Sequence, residues 1–110
     1  MNIEGVGFSV VDWSKVPPVE HSGETGTSFW RTVEEGNVRV RKVEYSAGFR
    51  SDHWCSRGHI LLVLDGKLFV ELKDGRTFTL GTGLSFRASD DAANPHLVYT
   101  KEATLVFIVD

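Results

Sequence analysis

Four side chains of metal-binding type occur in a compact pattern in this chain. His53 and Cys55 are two residues apart, His59 follows, and His96 comes directly after Pro95 near the C-terminus. These residues account for three of the four histidines and for the only cysteine. Neutral imidazole and thiolate are the ligands that zinc, ferrous iron, nickel and copper prefer. The pattern therefore predicts a metal site made of His53, Cys55, His59 and His96.

Short β-strands are the elements that must position these ligands. Apolar residues recur with a period of two in runs separated by Gly, Asn, Asp and Pro, which is typical of antiparallel sandwiches and barrels. The runs cover residues 27–33, 38–45, 59–64, 67–72, 78–80, 84–88, 97–99 and 104–109. Gly36-Asn37, Asp65-Gly66 and Asp74-Gly75 are turn dipeptides that predict three hairpins in a row. The predicted fold class is all-β, with a closed or double-sheet architecture.

Strand geometry bears directly on the ligands, because residues two apart on a strand share a face. His53 and Cys55 are therefore expected to point the same way, with Trp54 packing on the opposite side. Gly58 permits a bend before His59, whose run is apolar on both faces. A strand buried on both sides lies inside a sandwich or in the wall of a filled barrel, where a ligating His59 must point.

The chain length predicts one domain, residues 1–110, with a barrel at 27–110. Residues 1–26 are predicted to hold a short strand at 8–11 and then an irregular segment marked by Pro17-Pro18. A net charge of −3 without a basic stripe argues against nucleic acid and anionic membrane partners. With no long apolar run and no signal-peptide pattern, the expected location is the cytoplasm. A single cysteine also precludes an internal disulfide.

The ligand pattern resembles the first motif of the cupin superfamily, G-x5-H-x-H-x3,4-E-x6-G. Gly48, His53, Cys55, His59 and Gly66 reproduce it with one residue fewer after the first glycine. Cys55 takes the place of the second histidine, and His59 takes that of the glutamate.

Gly83, Pro95-His96 and Thr100 resemble the second cupin motif, G-x5-P-x-G-x2-H-x3-N. The chain has about two more residues than the motif, around positions 90–93. The string Asp52-His53-Trp54-Cys55, followed by Gly58-His59, is similar to a small bacterial group of DHCW-motif cupin-fold proteins. This likeness covers residues 27–110.

The resemblance implies an antiparallel double-stranded β-helix, the jelly-roll or cupin barrel, with the metal site inside. Cupins with the usual ligands hold a divalent ion with three imidazoles and one carboxylate. Here a thiolate replaces an imidazole and an imidazole replaces the carboxylate, so one anionic ligand remains. The resulting His3Cys set is softer, and it favours zinc, iron, nickel or copper over manganese or magnesium.

Two classes of function are compatible with such a site. A metal that accepts five or six ligands keeps positions for substrate or oxygen, which would make the chain a metal-dependent enzyme, dioxygenase- or isomerase-like as the resemblance suggests. A closed tetrahedral His3Cys zinc site would instead be structural or sensing, in a non-catalytic metal-binding or small-molecule-binding domain. A redox-active or nucleophilic Cys55 thiol paired with a histidine is a minor alternative, since no Asn or Asp is clearly placed as its orienting partner. No catalytic residue and no substrate is identified by the residue types.

Other polar residues have weaker expectations. Arg39 and Arg41, with Arg31 on the facing run, predict a solvated sheet face; if that face lined the barrel mouth, an arginine could hold a substrate carboxylate. Asp52 is expected at a turn or edge, with acceptance of a ligand's imidazole proton as the alternative. His21 is expected to be solvated. Small cupins commonly associate through their N-terminal strand and outer sheet, so a homodimer is expected, with residues 1–11 as one candidate contact.

Overall fold

The computed structural model describes residues 2–90 and 93–110. Asp91 and Ala92, part of the extra residues of the second motif, lie outside these ranges, as does Met1. Within the described ranges there are one turn of 3-10 helix, Trp13–Lys15, and nine strands. The strands are β1 (Val19–Ser22), β2 (Thr27–Glu35), β3 (Val38–Tyr45), β4 (His59–Asp65), β5 (Lys67–Leu72), β6 (Thr77–Gly81), β7 (Ser85–Ala88), β8 (His96–Tyr99) and β9 (Thr104–Val109). The predicted all-β fold class is confirmed.

The strands form two antiparallel sheets. The larger sheet has the order β1-β2-β3-β9-β4-β7, and the smaller has the order β6-β5-β8. The sheets do not close into one continuous hydrogen-bonded barrel within the described residues. The topology is compatible with the predicted double-stranded β-helix. No helix in these residues has the length and apolar character needed to cross a membrane.

Most strand positions agree with the apolar periodicity. β3, β5 and β9 coincide with their predicted runs, and β8 begins one residue earlier, at His96. Gly36-Asn37 joins β2 to β3 and Asp74-Gly75 joins β5 to β6, so two of the three predicted hairpins are confirmed.

The hairpin predicted at Asp65-Gly66 is wrong. β4 pairs with β7 and β9, whereas β5 pairs with β6 and β8, so this turn carries the chain from one sheet to the other. Gly66 has a φ of 101°, which suits a tight turn, but the turn alone does not decide which strands pair. The pairing follows from β4 lying inside the larger sheet, where both of its edges must find partners.

The N-terminal segment also differs from expectation. Residues 8–11 form no strand, and β1 lies instead in the stretch that was expected to be irregular. The reason is that β1 occupies the free edge of β2, with His21 opposite Ser28, which leaves residues 8–11 without a neighbouring strand.

The core lies between the two sheets, and one fully buried row of it crosses the three central strands β3, β9 and β4 of the larger sheet. Val43, Val106 and Val63 stand side by side across these strands and are almost completely buried. The next row towards the site contains Ile108 and Leu61, which are equally inaccessible. Because side chains alternate along a strand, the positions two residues beyond this row also face inward.

We expect Leu61→Ala to lower the free energy of unfolding by about 2–5 kcal/mol, because it leaves a cavity at a packed position of β4. Urea denaturation of the metal-free protein measures this. Leu64→Ala is the matched control on the same strand: its side chain is substantially exposed, and its loss should be under about 1 kcal/mol. Equal losses for the two variants would contradict the assignment of the core to this face.

Candidate metal centre

Three of the four predicted ligands converge. The ligand atoms of Cys55, His59 and His96 all lie within 4.8 Å of one another. The Nε2 atoms of His59 and His96 are 3.0 Å apart, and their rings are nearly perpendicular, at 88°. Two imidazole nitrogens bound to one ion at ~2.05 Å are separated by about 2.9–3.3 Å, depending on the coordination angle. The spacing of the two histidines therefore fits a shared metal ion.

A local pairing of backbones places Cys55 beside His96. The Cys55 N–H donates to the His96 carbonyl at 2.7 Å, and the His96 N–H donates to the Cys55 carbonyl at 2.9 Å. Two residues that exchange both hydrogen bonds in an antiparallel pair project their side chains from the same face. The Cys55 thiol and the His96 imidazole are therefore directed to one side, towards His59 at the start of β4.

His59 belongs to a polar row that continues the core. It lies two residues before Leu61 on β4, and in β3 and the chain after β9 the corresponding positions are Arg39 and Asp110, which exchange backbone hydrogen bonds. Arg39 donates from Nε and Nη2 to the Asp110 carboxylate at 2.9 and 2.8 Å. The side chain of Asp110 is only 1% exposed.

The carboxylate of Asp110 lies beside the imidazole of His59. Its Oδ2 atom is 3.7 Å from His59 Nδ1, a buried nitrogen that has no hydrogen-bond partner among the described residues. A carboxylate on this side favours the tautomer with the proton on Nδ1. The lone pair on Nε2 then faces His96 and the centre of the cluster, as a metal ligand requires.

Both histidines are held neutral at physiological pH. Burial, reinforced by the charge of His96, lowers the pKa of His59 to about 4, although Asp110 opposes this shift. Burial also lowers the pKa of His96. Neutral imidazoles bind metal without first losing a proton. With the sulfur of Cys55 they form a nitrogen and sulfur donor set that fits zinc, ferrous iron, nickel or copper.

Burial would by itself raise the pKa of Asp110. The hydrogen bond from Arg39 and the charges of Arg41, Arg39 and Arg57 outweigh it, so this pKa lies below the ordinary value. Asp110 is therefore an anion at neutral pH. Sequence reasoning missed Asp110, although Asp110 lies two residues after Ile108 and so continues the inward-facing positions of β9. No local sequence pattern indicates that β9 lies between β3 and β4.

The structure places His53 outside this cluster. Its side chain is 74% exposed, and its Nδ1 is 2.6 Å from the carboxylate of Asp52. The strand expected across residues 53–55 is reduced to a single bridge at Cys55, so the two side chains do not share a strand face. The role of His53 as a ligand stays a prediction, and its contact with Asp52 is an exposed one.

A cavity of about 570 Å³ adjoins the cluster. Its lining includes Cys55, His59 and His96 together with Arg39, Arg41 and Tyr45. Burial raises the pKa of Tyr45 to about 12, so its hydroxyl stays protonated and uncharged at neutral pH.

The expectation of a solvated arginine face is wrong for Arg39 and Arg41. Arg41 is only 6% exposed, and both side chains line the cavity. The physical reason is register, since Arg41 lies in the same row as Ile108 and Leu61 on the inward face. Arg31 pairs with Lys42, the neighbour of Arg41, and therefore lies on the opposite face of the sheet from Arg41. Its Nε donates to the Val16 carbonyl.

Solved structures resemble more than nine tenths of the chain. An RmlC-like cupin from Shewanella frigidimarina has a TM-score of 0.74 at 13% identity, over 94% of this chain and 89% of that one. Ectoine synthase from P. lautus has a TM-score of 0.74 at 12% identity, over 93% and 76%. Iron(II) HppE with the alternative substrate (S)-1-HPP has a TM-score of 0.74 at 12% identity, over 94% and 60%.

No protein-family model and no curated protein matches the chain. The structural neighbours are cupin-fold proteins, and the chain has the cupin fold. The fold predicted from the two motifs is thus confirmed. Within this fold, the Cys55, His59 and His96 group is one that can hold a metal ion.

Proposed function

We propose that this chain is a metal-dependent cupin enzyme that binds a divalent transition metal through Cys55, His59 and His96 and acts on a small molecule in the adjoining cavity. The convergence of these three donor atoms within 4.8 Å carries the proposal. Two structural neighbours support the kind of chemistry, since one is a synthase and another holds iron(II) and a substrate. Zinc, iron, nickel and copper all suit the donor set.

The number of converging ligands favours an open site. Catalytic zinc sites typically have three protein ligands and an open position, whereas structural sites have four. Three donors converge here beside a cavity of about 570 Å³, which is large enough for a small molecule. The second candidate, a non-catalytic structural or sensing site of His3Cys type, requires His53 as the fourth ligand. One observation keeps this candidate: the exposed His53 side chain lines the same cavity.

A divalent ion bound here would supply Lewis acidity and a template for substrate. The chain's own residues supply the rest. Asp110 supplies a negative charge near Nδ1 of His59, Tyr45 supplies a neutral hydroxyl at the cavity wall, and Arg41 supplies positive charge.

Elemental analysis of protein purified without chelator or affinity tag tests the proposal. We expect close to one transition-metal ion per chain. Replacement by cobalt(II) and absorption spectroscopy then test for an exchangeable position: added azide should change the spectrum of an open site with three protein ligands and leave that of a closed four-ligand site unchanged. Absence of stoichiometric metal, together with failure to bind added zinc or cobalt, would refute the proposal.

The predicted cytoplasmic location and the predicted lack of nucleic acid and membrane partners stay predictions. We further propose a homodimer, which the N-terminal segment supports. The Glu4 N–H donates to Asn37 Oδ1 at 2.8 Å, and Arg31 binds the Val16 carbonyl, so the segment is held at both ends. Between these anchors Phe8 is fully exposed and Val10 is 87% exposed. An anchored segment that presents apolar side chains to solvent suits a contact with a second copy.

We expect Phe8→Asp to convert a dimer into a monomer, because a carboxylate would be buried in an apolar contact. Size-exclusion chromatography with light scattering measures the mass of each species. Phe78→Asp is the control, since Phe78 is an exposed aromatic on β6, in the other sheet. A monomeric wild-type protein at all concentrations would contradict the dimer.

A further inference from the structure

Arg41 is a buried cation whose hydrogen-bonding capacity is largely unused. Its guanidinium carbon lies 4.6 Å from the ring centroid of Trp30, and its Nη2 donates to Asp110 Oδ2 at 3.1 Å. Its Nε is buried without a hydrogen-bond partner among the described residues. An unpaired buried donor on a charged group is costly, so such a group commonly binds a water molecule or a ligand.

The charges around Arg41 do not balance. Arg39, Arg41 and Arg57 all approach one carboxylate, that of Asp110, at 2.8, 3.1 and 3.4 Å. Arg39 donates two hydrogen bonds to that carboxylate, from Nε and Nη2. Three guanidinium groups therefore share one carboxylate, and a second carboxylate, that of Asp52 in the cavity lining, is bound to His53. Such a site attracts an anion.

The guanidinium of Arg41 lies next to the metal cluster. Arg41 Nη2 and His59 Nδ1 both approach the same atom, Asp110 Oδ2, at 3.1 and 3.7 Å. Arg41 and the ligand residues also line one cavity. A molecule of a few carbon atoms can therefore reach both.

We propose that Arg41 binds the carboxylate of a small organic acid in this cavity, with Arg57 assisting, and thereby directs the rest of that molecule to Cys55, His59 and His96. The inference rests on the proposed function, because it assigns the substrate class of the same site. A carboxylate matches the planar edge of a guanidinium, which can donate two parallel hydrogen bonds. A carboxylate is favoured over the more highly charged phosphate, because both donors of the Arg39 fork already bind Asp110.

Nuclear magnetic resonance of the arginine Nε–Hε groups tests this in chelator-treated protein and again in zinc-loaded protein. The probes are propionate, its uncharged analogue propionamide, and inorganic phosphate. We expect propionate alone to shift the Arg41 signal saturably in both forms. Arg41→Gln should weaken propionate binding ~10-fold or more, and Arg41→Lys, which keeps the charge but loses the fork, by nearly as much. Arg76→Gln, at an exposed turn, should leave it unchanged.

Arg57→Gln covers the case in which the Arg41 variants fail to fold, because the Arg57 side chain is 51% exposed. We expect it to weaken propionate binding about 3-fold and to reduce its salt dependence. Unchanged affinity in the Arg57 variant would overturn the assisting role, and an unshifted Arg41 signal in the wild type would overturn the inference.

Three other outcomes also overturn it: equal binding of propionamide, tighter binding of phosphate, or propionate binding that is lost in Cys55→Ser yet kept in Arg41→Gln. The last would mean that the carboxylate binds the metal directly. Metal content measured on the same samples separates the two proposals. Failure of the inference leaves one ion per chain, whereas failure of the proposed function removes the ion while propionate still shifts Arg41.

Discussion

His59→Ala and His96→Ala are each expected to lower metal affinity by about 100-fold or more, so that neither protein is purified with stoichiometric metal. Each variant removes one of two imidazoles whose Nε2 atoms are 3.0 Å apart, and the remaining imidazole and thiol cannot hold the ion as firmly. Cys55→Ala should have a comparable effect, since it removes the only anionic donor of the cluster. Elemental analysis and competition with a chromogenic chelator measure the losses.

The other two histidines provide the comparison. His21→Ala is the matched control, because His21 lies outside the cluster, with its ring 4.1 Å from that of Trp30, and metal content should not change. His53→Ala decides between the candidate functions. A loss as large as that of His59→Ala would place His53 in the ligand set and favour a closed site, whereas retention of the metal favours an open one. If His21→Ala lowered metal content as much as His59→Ala, the cluster would not be the site.

Asp110→Asn is expected to lower the free energy of unfolding of the metal-free protein by about 3–5 kcal/mol. The Asp110 side chain is 1% exposed and is the shared anionic partner of Arg39 and Arg41, whose side chains are 19% and 7% exposed. Removal of its charge leaves two neighbouring guanidinium groups that repel each other in a site with little water. The attraction between Arg39 and a neutral amide oxygen cannot offset that loss.

Urea denaturation of metal-free protein measures this change without interference from ligand binding. Asp74→Asn is the control, because Asp74 also pairs with an arginine, Arg76, but on the exposed turn between β5 and β6. We expect no measurable loss there, since exposed pairs are screened by solvent. A small effect of Asp110→Asn, similar to that of Asp74→Asn, would mean that the buried charges are compensated in another way.

Local pattern was sufficient to predict most of the strands. A period of two in apolar residues is a direct consequence of strand geometry, and β3, β5 and β9 lie where that period occurs. Turn dipeptides correctly predicted the hairpins of β2 with β3 and of β5 with β6, because in each case the strands on the two sides of the turn pair with each other. The failure at Asp65-Gly66 has the same origin, since a turn dipeptide reports a reversal of the chain and carries no information about which sheet the next strand joins.

The sequence likewise predicted one part of the candidate site and not another. The types and spacing of Cys55, His59 and His96 were enough to predict a metal cluster, because few residues offer soft donors and the cupin motifs place them. The prediction for His53 relied on a strand that extends across residues 53–55. In the structure only Cys55 pairs with another backbone there, so alternation gives no information about the direction of His53.

The sequence by itself determined the all-β class, the positions of most strands, and the set of soft donors, because each depends on residue type and on spacing along a single segment. Only the tertiary structure decided that β9 lies between β3 and β4, which aligns Arg39, Asp110 and His59 in one buried row. It likewise decided that Arg41 faces the cavity and that His53 faces solvent. These features depend on pairing between strands that are distant along the chain, and such pairing is selected by the burial of the whole sheet.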